Sequence, residues 1–167
     1  MIIVGNTNIG KSSIMQRYVK KKFTANSTET VGVDFMQSRY KSENDEKCVI
    51  KIWDTCGQER YRSLIKSYFN SSDGIIIGFD LTNIQSFKDV TMWLNKADQA
   101  GNPGVPMVLV GNKNDLTEER QVDFGEAQHL ANKLNLNYFE TSAKTGDGIE
   151  QLMPGFFEAM LLYMKNQ

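Results

Sequence analysis

The sequence predicts a three-layer α/β fold, a mainly parallel sheet with helices on both faces. Three observations lead there. Short apolar runs alternate along the chain with amphipathic helical stretches. Two of the runs, Gly74–Leu81 and Pro106–Val110, are almost wholly apolar, as strands covered on both faces must be. The first run, Ile2-Ile3-Val4, leads at once into Gly5-Asn6-Thr7-Asn8-Ile9-Gly10-Lys11-Ser12, a G-x-x-x-x-G-K-[ST] loop that opens onto a helix-compatible stretch.

Taken in order, Met1–Val4 is the first strand and Lys11–Lys21 the first helix. Val33–Tyr40 and Cys48–Trp53 come close to apolar/polar alternation. The polar turn Ser42-Glu43-Asn44-Asp45-Glu46 separates them, so they form an antiparallel hairpin at a sheet edge. Arg62–Asn70 is a helix, and Gly74–Leu81 a buried strand. Ile84–Ala100 is a helix whose Phe87, Val90, Trp93, Leu94 and Ala97 form a core-facing stripe. Gly101-Asn102-Pro103-Gly104 ends it. After the strand Pro106–Val110 comes the helix Phe124–Leu134, capped by Asp123. The strand Asn137–Phe139 leads to a last helix, Gly148–Met164. That helix buries Ile149, Leu152, Phe156, Phe157, Met160 and Leu161, with Pro154 early enough to be tolerated. The result is a six-stranded sheet, parallel but for one antiparallel edge strand.

At 167 residues the chain suits one domain spanning 1–167, and 40% apolar with 23% charged residues is an ordinary globular balance. A net charge of −1 without a basic block gives a nucleic-acid partner no electrostatic footing. Cys48 and Cys56 read as free thiols in a reducing compartment. The sequence carries no secretory signal, no membrane-spanning run and no C-terminal cysteine for a lipid. His129 is the sole histidine, which excludes a histidine-based metal cluster.

The glycine loop has a chemical reason for its spacing. Glycines let the chain wrap so that several backbone N–H groups converge on one concavity. Lys11 adds a positive charge for the β- and γ-phosphates of a nucleotide, and the Ser12 hydroxyl suits a magnesium ion. The helix that follows offers unpaired N–H groups to an anion. A plain turn between strand and helix is the alternative for these residues alone. Asn8 can stand where glycine often would, because asparagine tolerates a left-handed backbone.

Three further polar loops follow strands of the same polarity, where open α/β sheets bind ligands. In Asp54-Thr55-Cys56-Gly57-Gln58-Glu59, Asp54 is suited to act on magnesium through water. Gly57 offers an unobstructed N–H to a terminal phosphate. Gln58 can donate and accept, and so can hold a water in line with the phosphorus. Strand capping by Asp54 and plain exposure of Gln58 are the bland alternatives. In Asn112-Lys113-Asn114-Asp115, the Asp115 carboxylate matches the paired donors of a guanine edge, N1–H and the 2-amino group. An Asn/Asp-rich turn is the alternative there. Thr141-Ser142-Ala143-Lys144 is the fourth loop.

Together these residues resemble the Ras-like small GTPases, over nearly the whole chain. Within that group the chain is most similar to Rab. The segments that carry the likeness are Thr30-Val31-Gly32-Val33-Asp34-Phe35, Lys51-Ile52-Trp53-Asp54-Thr55, Gln58-Glu59-Arg60-Tyr61-Arg62-Ser63-Leu64 and Phe79-Asp80-Leu81-Thr82. Rho is less similar, since Asn112–Asp115 runs straight into Leu116-Thr117-Glu118 without the insertion usual there. The resemblance implies the three-layer P-loop NTPase fold and a GTP hydrolase acting as a switch with Mg2+, GTP and GDP. It implies that Lys11 binds the β- and γ-phosphates, and that Ser12 and Thr30 coordinate magnesium with Asp54 behind a water. Gly57 would sense the γ-phosphate, and Gln58 would position the attacking water. Phe23 would stack on guanine and the Lys113 stem would pack on its ring. Asn112 and Asp115 would read the base, and Ala143 would give its N–H to the guanine oxygen. Ser142 and Lys144 would shape that pocket. Asn8, Ile9, Gly10, Ser13 and Leu116 join the nucleotide-contacting set.

The resemblance also implies an exchange factor, a GTPase-activating protein and effectors, all meeting the switch segments. It implies a cytoplasmic protein held at the cytosolic face of an intracellular membrane once prenylated. The chain departs from the pattern at Cys56, where alanine is usual, and at Tyr68-Phe69-Asn70-Ser71, which lacks an arginine. It lacks the prenylated tail and begins almost at the phosphate loop, so trimmed ends are expected. Two rivals remain at this stage. A P-loop kinase or ATPase predicts adenine binding and an arginine-rich lid. A nucleotide-bound adaptor locked in one state predicts no phosphate release.

Overall fold

In the computed structural model the sheet order is β2-β3-β1-β4-β5-β6, and residues 1–25, 30, 33–55 and 67–167 are described. The strands are β1 (Ile2–Val4), β2 (Val33–Lys41), β3 (Lys47–Thr55), β4 (Ile75–Asp80), β5 (Met107–Asn112) and β6 (Asn137–Thr141). Among the described residues only the β2–β3 pairing is antiparallel, and the hairpin read from the sequence lies at the sheet edge. The helices are α1 (Lys11–Lys20), α2 (Ile84–Lys88), α3 (Val90–Gln99), α4 (Phe124–Lys133) and α5 (Ile149–Lys165), with a short 3-10 turn at Thr117–Glu119.

Alternating residues of the central strands feed two separate cores, which makes the three layers. Ile2, Val4, Ile75, Ile77 and Leu109 pack against Phe87, Val90, Trp93, Ala97, Ala127 and Ala131 from α2, α3 and α4. Ile3, Ile76, Val108 and Val110 point the other way, against Ile14 and Met15 of α1 and Leu152, Phe156 and Phe157 of α5. Every residue of β4 is buried, as its apolar run requires.

Four sequence expectations need correction. Ile84–Ala100 is two helices, broken at Asp89, whose carboxylate accepts from Asn6 (2.6 Å) and Gln85 (2.9 Å). Asp123 holds the N-cap position of α4, but its side chain makes no capping bond. Leu161 is only half-buried, and Met153 takes the inward place instead. Pro154 lies inside α5 beyond the first turn, so the Glu150 carbonyl loses its helical N–H partner while the helix continues. Of the expected helix Arg62–Asn70, residues 67–70 are helical and 62–66 lie outside the described residues.

The strands also run further than their apolar cores. Asp54, Asn112 and Thr141 are ladder residues, in register as Ile3↔Asp54, Asp80↔Asn112 and Asn112↔Thr141. Their polar side chains are therefore held by the sheet itself, at one edge.

Candidate functional site

The phosphate loop is shaped by steric necessity. Gly5 has φ 145°, and a Cβ there would lie 2.3 Å from the Gly78 carbonyl oxygen. Ile9 is buried, with its Cδ1 wedged where a Cβ on either Gly5 or Gly78 would sit. Only the Ile9 backbone is thus left to face a ligand. Asn8 adopts φ 64°, the left-handed conformation its residue type permits. Gly10 (φ 94°) begins α1 without a side-chain cap, which leaves the N–H groups of the first turn directed at the loop. Ser13 is half-buried in that turn. Lys11 is buried and donates to the carbonyls of Gly5 (3.0 Å) and Asn6 (2.7 Å), which centres its ammonium in the loop.

Beside it, three oxygen-bearing side chains meet. Ser12 Oγ and Thr30 Oγ1 lie 2.9 Å apart, both donate to Asp54 Oδ2, and the Thr30 bond is 3.0 Å. Asp54 Oδ1 is buried and has no hydrogen-bond partner among the described residues. An orphaned carboxylate oxygen beside two hydroxyls is a set of hard donors. It fits Mg2+, which takes one or two carboxylates, water and substrate phosphates rather than an all-protein cage.

Burial pushes the Asp54 carboxyl above its ordinary range, opposed by the Ser12 hydrogen bond, the Lys11 charge and the Thr30 hydrogen bond. The sign follows from linkage. A carboxyl with a raised folded-state pKa contributes stability below its unfolded pKa and loses it as pH rises through the folded value. At neutral pH the metal-free protein thus carries a destabilising charge. Asp54→Asn is expected to raise its unfolding temperature in chelator at pH 7 by a few degrees, with the gain vanishing toward pH 4. Thermal scans across that range check it, and a gain independent of pH would contradict it.

The base side is built on Asn112, which is 1% exposed. Its Nδ2 donates to the Ile9 carbonyl (2.8 Å), and its Oδ1 accepts from Thr141 Oγ1 (3.1 Å) and the Ala143 N–H (3.2 Å). One amide thereby ties the phosphate loop to the loops after β5 and β6. Asp115 Oδ1 accepts from Ser142 Oγ (2.6 Å), and Lys144 Nζ stands 4.0 Å from Asp115 Oδ2. Lys113 (φ 70°) anchors its ammonium on buried Asp80 at 2.6 Å, which lays its stem along the site. Leu116 closes the turn by donating to the Lys113 carbonyl (3.0 Å). Glu140, just before this last loop, is bound by both arms of Arg120 and by Tyr138 Oη (2.8 Å). Burial, then the Glu140 hydrogen bond, pushes the Tyr138 phenol up, so it remains a donor.

The structure therefore gathers Asn8, Ile9, Gly10, Lys11, Ser12, Ser13, Thr30, Asp54, Asn112, Lys113, Asp115, Leu116, Ser142, Ala143 and Lys144 at one sheet edge. Phe23 is 36% exposed and makes no ring–ring contact among the described residues. Gly57, Gln58 and the departure at Cys56 lie outside the described residues. Sequence reasoning missed several supports. Asn6 bridges Asp89 and Trp93 Nε1 (2.8 Å), and Asp80 receives Lys113. Arg17 donates to the carbonyls of Ala143 (2.7 Å) and Lys144. An aspartate ending an all-apolar strand was a usable signal for Asp80. Arg17 had none, since the carbonyls of Ala143 and Lys144 that it holds are backbone atoms more than a hundred positions away.

The sequence profile of the Ras family matches residues 1–162. Ras-related protein Rab-4 of Dictyostelium discoideum is 43% identical over 151 residues, covering 90% of this chain and 73% of that protein. Ras-related protein RABD2b of Arabidopsis thaliana is 34% identical over 167 residues, all of this chain and 82% of that protein. Human Ras-related protein Rab-30 is 38% identical over 152 residues, 91% of this chain and 74% of that protein. With a site built for a magnesium nucleotide and similarity at this level, the chain belongs to the Ras family as a Rab-like small GTPase that binds GTP and GDP with Mg2+ and hydrolyses GTP.

Proposed function

We propose that residues 1–167 act as one guanine-nucleotide switch domain, with the site residues in the following roles. The Lys11 ammonium and the N–H groups of Asn8 to Ser13 hold the β- and γ-phosphates. Asp115 accepts from guanine N1–H and the 2-amino group, Ala143 donates to the guanine oxygen, and the stems of Lys113 and Phe23 flank the ring. Ser12, Thr30 and Asp54 hold the metal, which when bound neutralises charge on the phosphate oxygens. Gln58 accepts a hydrogen bond from water and aligns it with the γ-phosphorus; water adds there as the bond to the β-phosphate oxygen breaks, GDP leaves and the water proton passes to the released phosphate. The metal and the γ-phosphate would add contacts to Thr30 and to the Gly57 N–H. Departure of the γ-phosphate releases the segments near residues 24–36 and 56–70, through which exchange factor, activating protein and effectors read the state. The work of the switch is in vesicle trafficking at the cytosolic face of a membrane, reached through a prenylated tail.

The observation that supports this reading is the Asn112 amide, which ties the Ile9 carbonyl of the phosphate loop to the Ala143 N–H of the loop after β6. Mass analysis of nucleotide released from purified protein tests it, with GDP or GTP expected. Release of adenine nucleotide would overturn it. For Gln58, Gln58→Leu should lower GTP turnover to about a tenth of the parent rate or less while GTP affinity holds. Single-turnover phosphate release checks it, and an unchanged rate would remove Gln58 from the mechanism.

A further inference from the structure

Arg17 sits in the last turn of α1, the helix that starts at the phosphate loop, and its guanidinium spans two successive carbonyls of the base loop. Nε donates to the Ala143 oxygen at 2.7 Å and Nη2 to the Lys144 oxygen. The loop crosses the arginine stem at Gly146 (φ 93°), where a Cβ would stand 3.6 Å from Arg17 Cδ. A planar fork with fixed donors suits such a pair of acceptors, and a charged donor makes each bond stronger than a neutral one would be. The charge is directed at backbone carbonyls, which sets the orientation of the peptides on the carboxyl side of Ala143.

The opposite side of Ala143 is set differently. Its N–H meets Asn112 Oδ1 at 3.2 Å, a long bond, in a residue only 4% exposed. Asn112 therefore holds the amino side of Ala143 while Arg17 holds the two carbonyls beyond it, so the residue is fixed from both sides. We propose that Arg17 is a positioning residue for base recognition: bonded to the Ala143 and Lys144 carbonyls, it holds the Ala143 backbone where its N–H, only loosely bonded to Asn112 Oδ1, can be shared with the 6-oxygen of guanine. The proposal rests on the reading of Ala143 as the donor to that oxygen. It also makes α1 a rigid link whose first turn meets phosphate and whose last turn holds the base loop.

The test compares dissociation constants for GDP and for 6-thio-GDP. The thio analogue keeps N1–H and the 2-amino group, which Asp115 reads, but carries a poor acceptor at position 6. The parent protein should prefer GDP. Arg17→Ala should weaken GDP by about tenfold or more and 6-thio-GDP far less, so that the preference collapses. Arg17→Lys, which keeps the charge and reaches one carbonyl, should recover part of the preference. Equal weakening of both ligands would show a merely structural clamp and overturn the proposal. Should Arg17→Ala fail to fold, Arg17→Lys decides: a reduced preference supports the proposal and a full one overturns it. A parent that binds neither ligand would instead refute the base-site reading beneath it.

Discussion

Asp115→Asn should turn the base site from guanine to xanthine. Asp115 is pinned through Oδ1 by Ser142 Oγ at 2.6 Å, so the edge it presents is set before any ligand arrives. A carboxylate is all acceptor and matches the two donors of guanine. Asparagine puts an amine beside a carbonyl, which meets the N1–H donor and the 2-oxo acceptor of xanthine. Sites built on substrate hydrogen bonds reject the mismatched ligand by roughly 10⁴. GDP affinity should fall by about that factor, and xanthosine diphosphate should bind in its place. Paired titrations of the two nucleotides check it. GDP affinity within a few fold of the parent would mean that Asp115 does not read the base.

Gly10→Ala should nearly abolish nucleotide binding while leaving the sheet folded. A Cβ at Gly10 would lie 2.4 Å from Asn112 Nδ2, and the residue has φ 94°. An amide tip normally gives way cheaply, but this one is buried and held at both ends by three hydrogen bonds. Displacing it strands the Ile9 carbonyl, the Thr141 hydroxyl and the Ala143 N–H. Backbone strain of about 1–3 kcal/mol and lost buried bonds of about 1–3 kcal/mol fall together on the phosphate loop. A loss of a hundredfold to ten-thousandfold in GDP affinity is expected, on the order of 3–6 kcal/mol. Isothermal titration with circular dichroism as a folding control checks it. Parent-like affinity would mean that the loop tolerates a side chain there.

Much of this was legible in the chain. The all-apolar runs announced β4 and β5, and the polar turn between alternating segments announced the edge hairpin, because burial dictates composition directly. The loops after β1, β5 and β6 were legible as polar segments at one sheet edge because they carry residue types in fixed local order, while residues 56–59 of the loop after β3 lie outside the described residues. What escaped was set by contacts distant in sequence. At the break, Asp89 is bound by Asn6, 83 positions away, a contact that helical periodicity across 84–100 does not register. Leu161 matched the apolar stripe of α5, yet the helix face turned Met153 inward. Asp123 had the right residue type for a cap, but residue type does not determine whether its oxygen finds an N–H. Strand ends were read short because Asp54, Asn112 and Thr141 are polar, whereas ladder bonds depend on backbone register and not on hydropathy.

Because a single amide at position 112 joins both halves of the ligand groove, the two ends of the nucleotide are energetically reciprocal. A nucleoside lacking its phosphates, or a polyphosphate lacking its base, must order the shared framework alone. The intact molecule meets that entropic cost once and so binds more tightly than its fragments do in sum. An inhibitor that covers only one half inherits the fragment's handicap. One that bridges both halves gains the cooperativity already built into the scaffold.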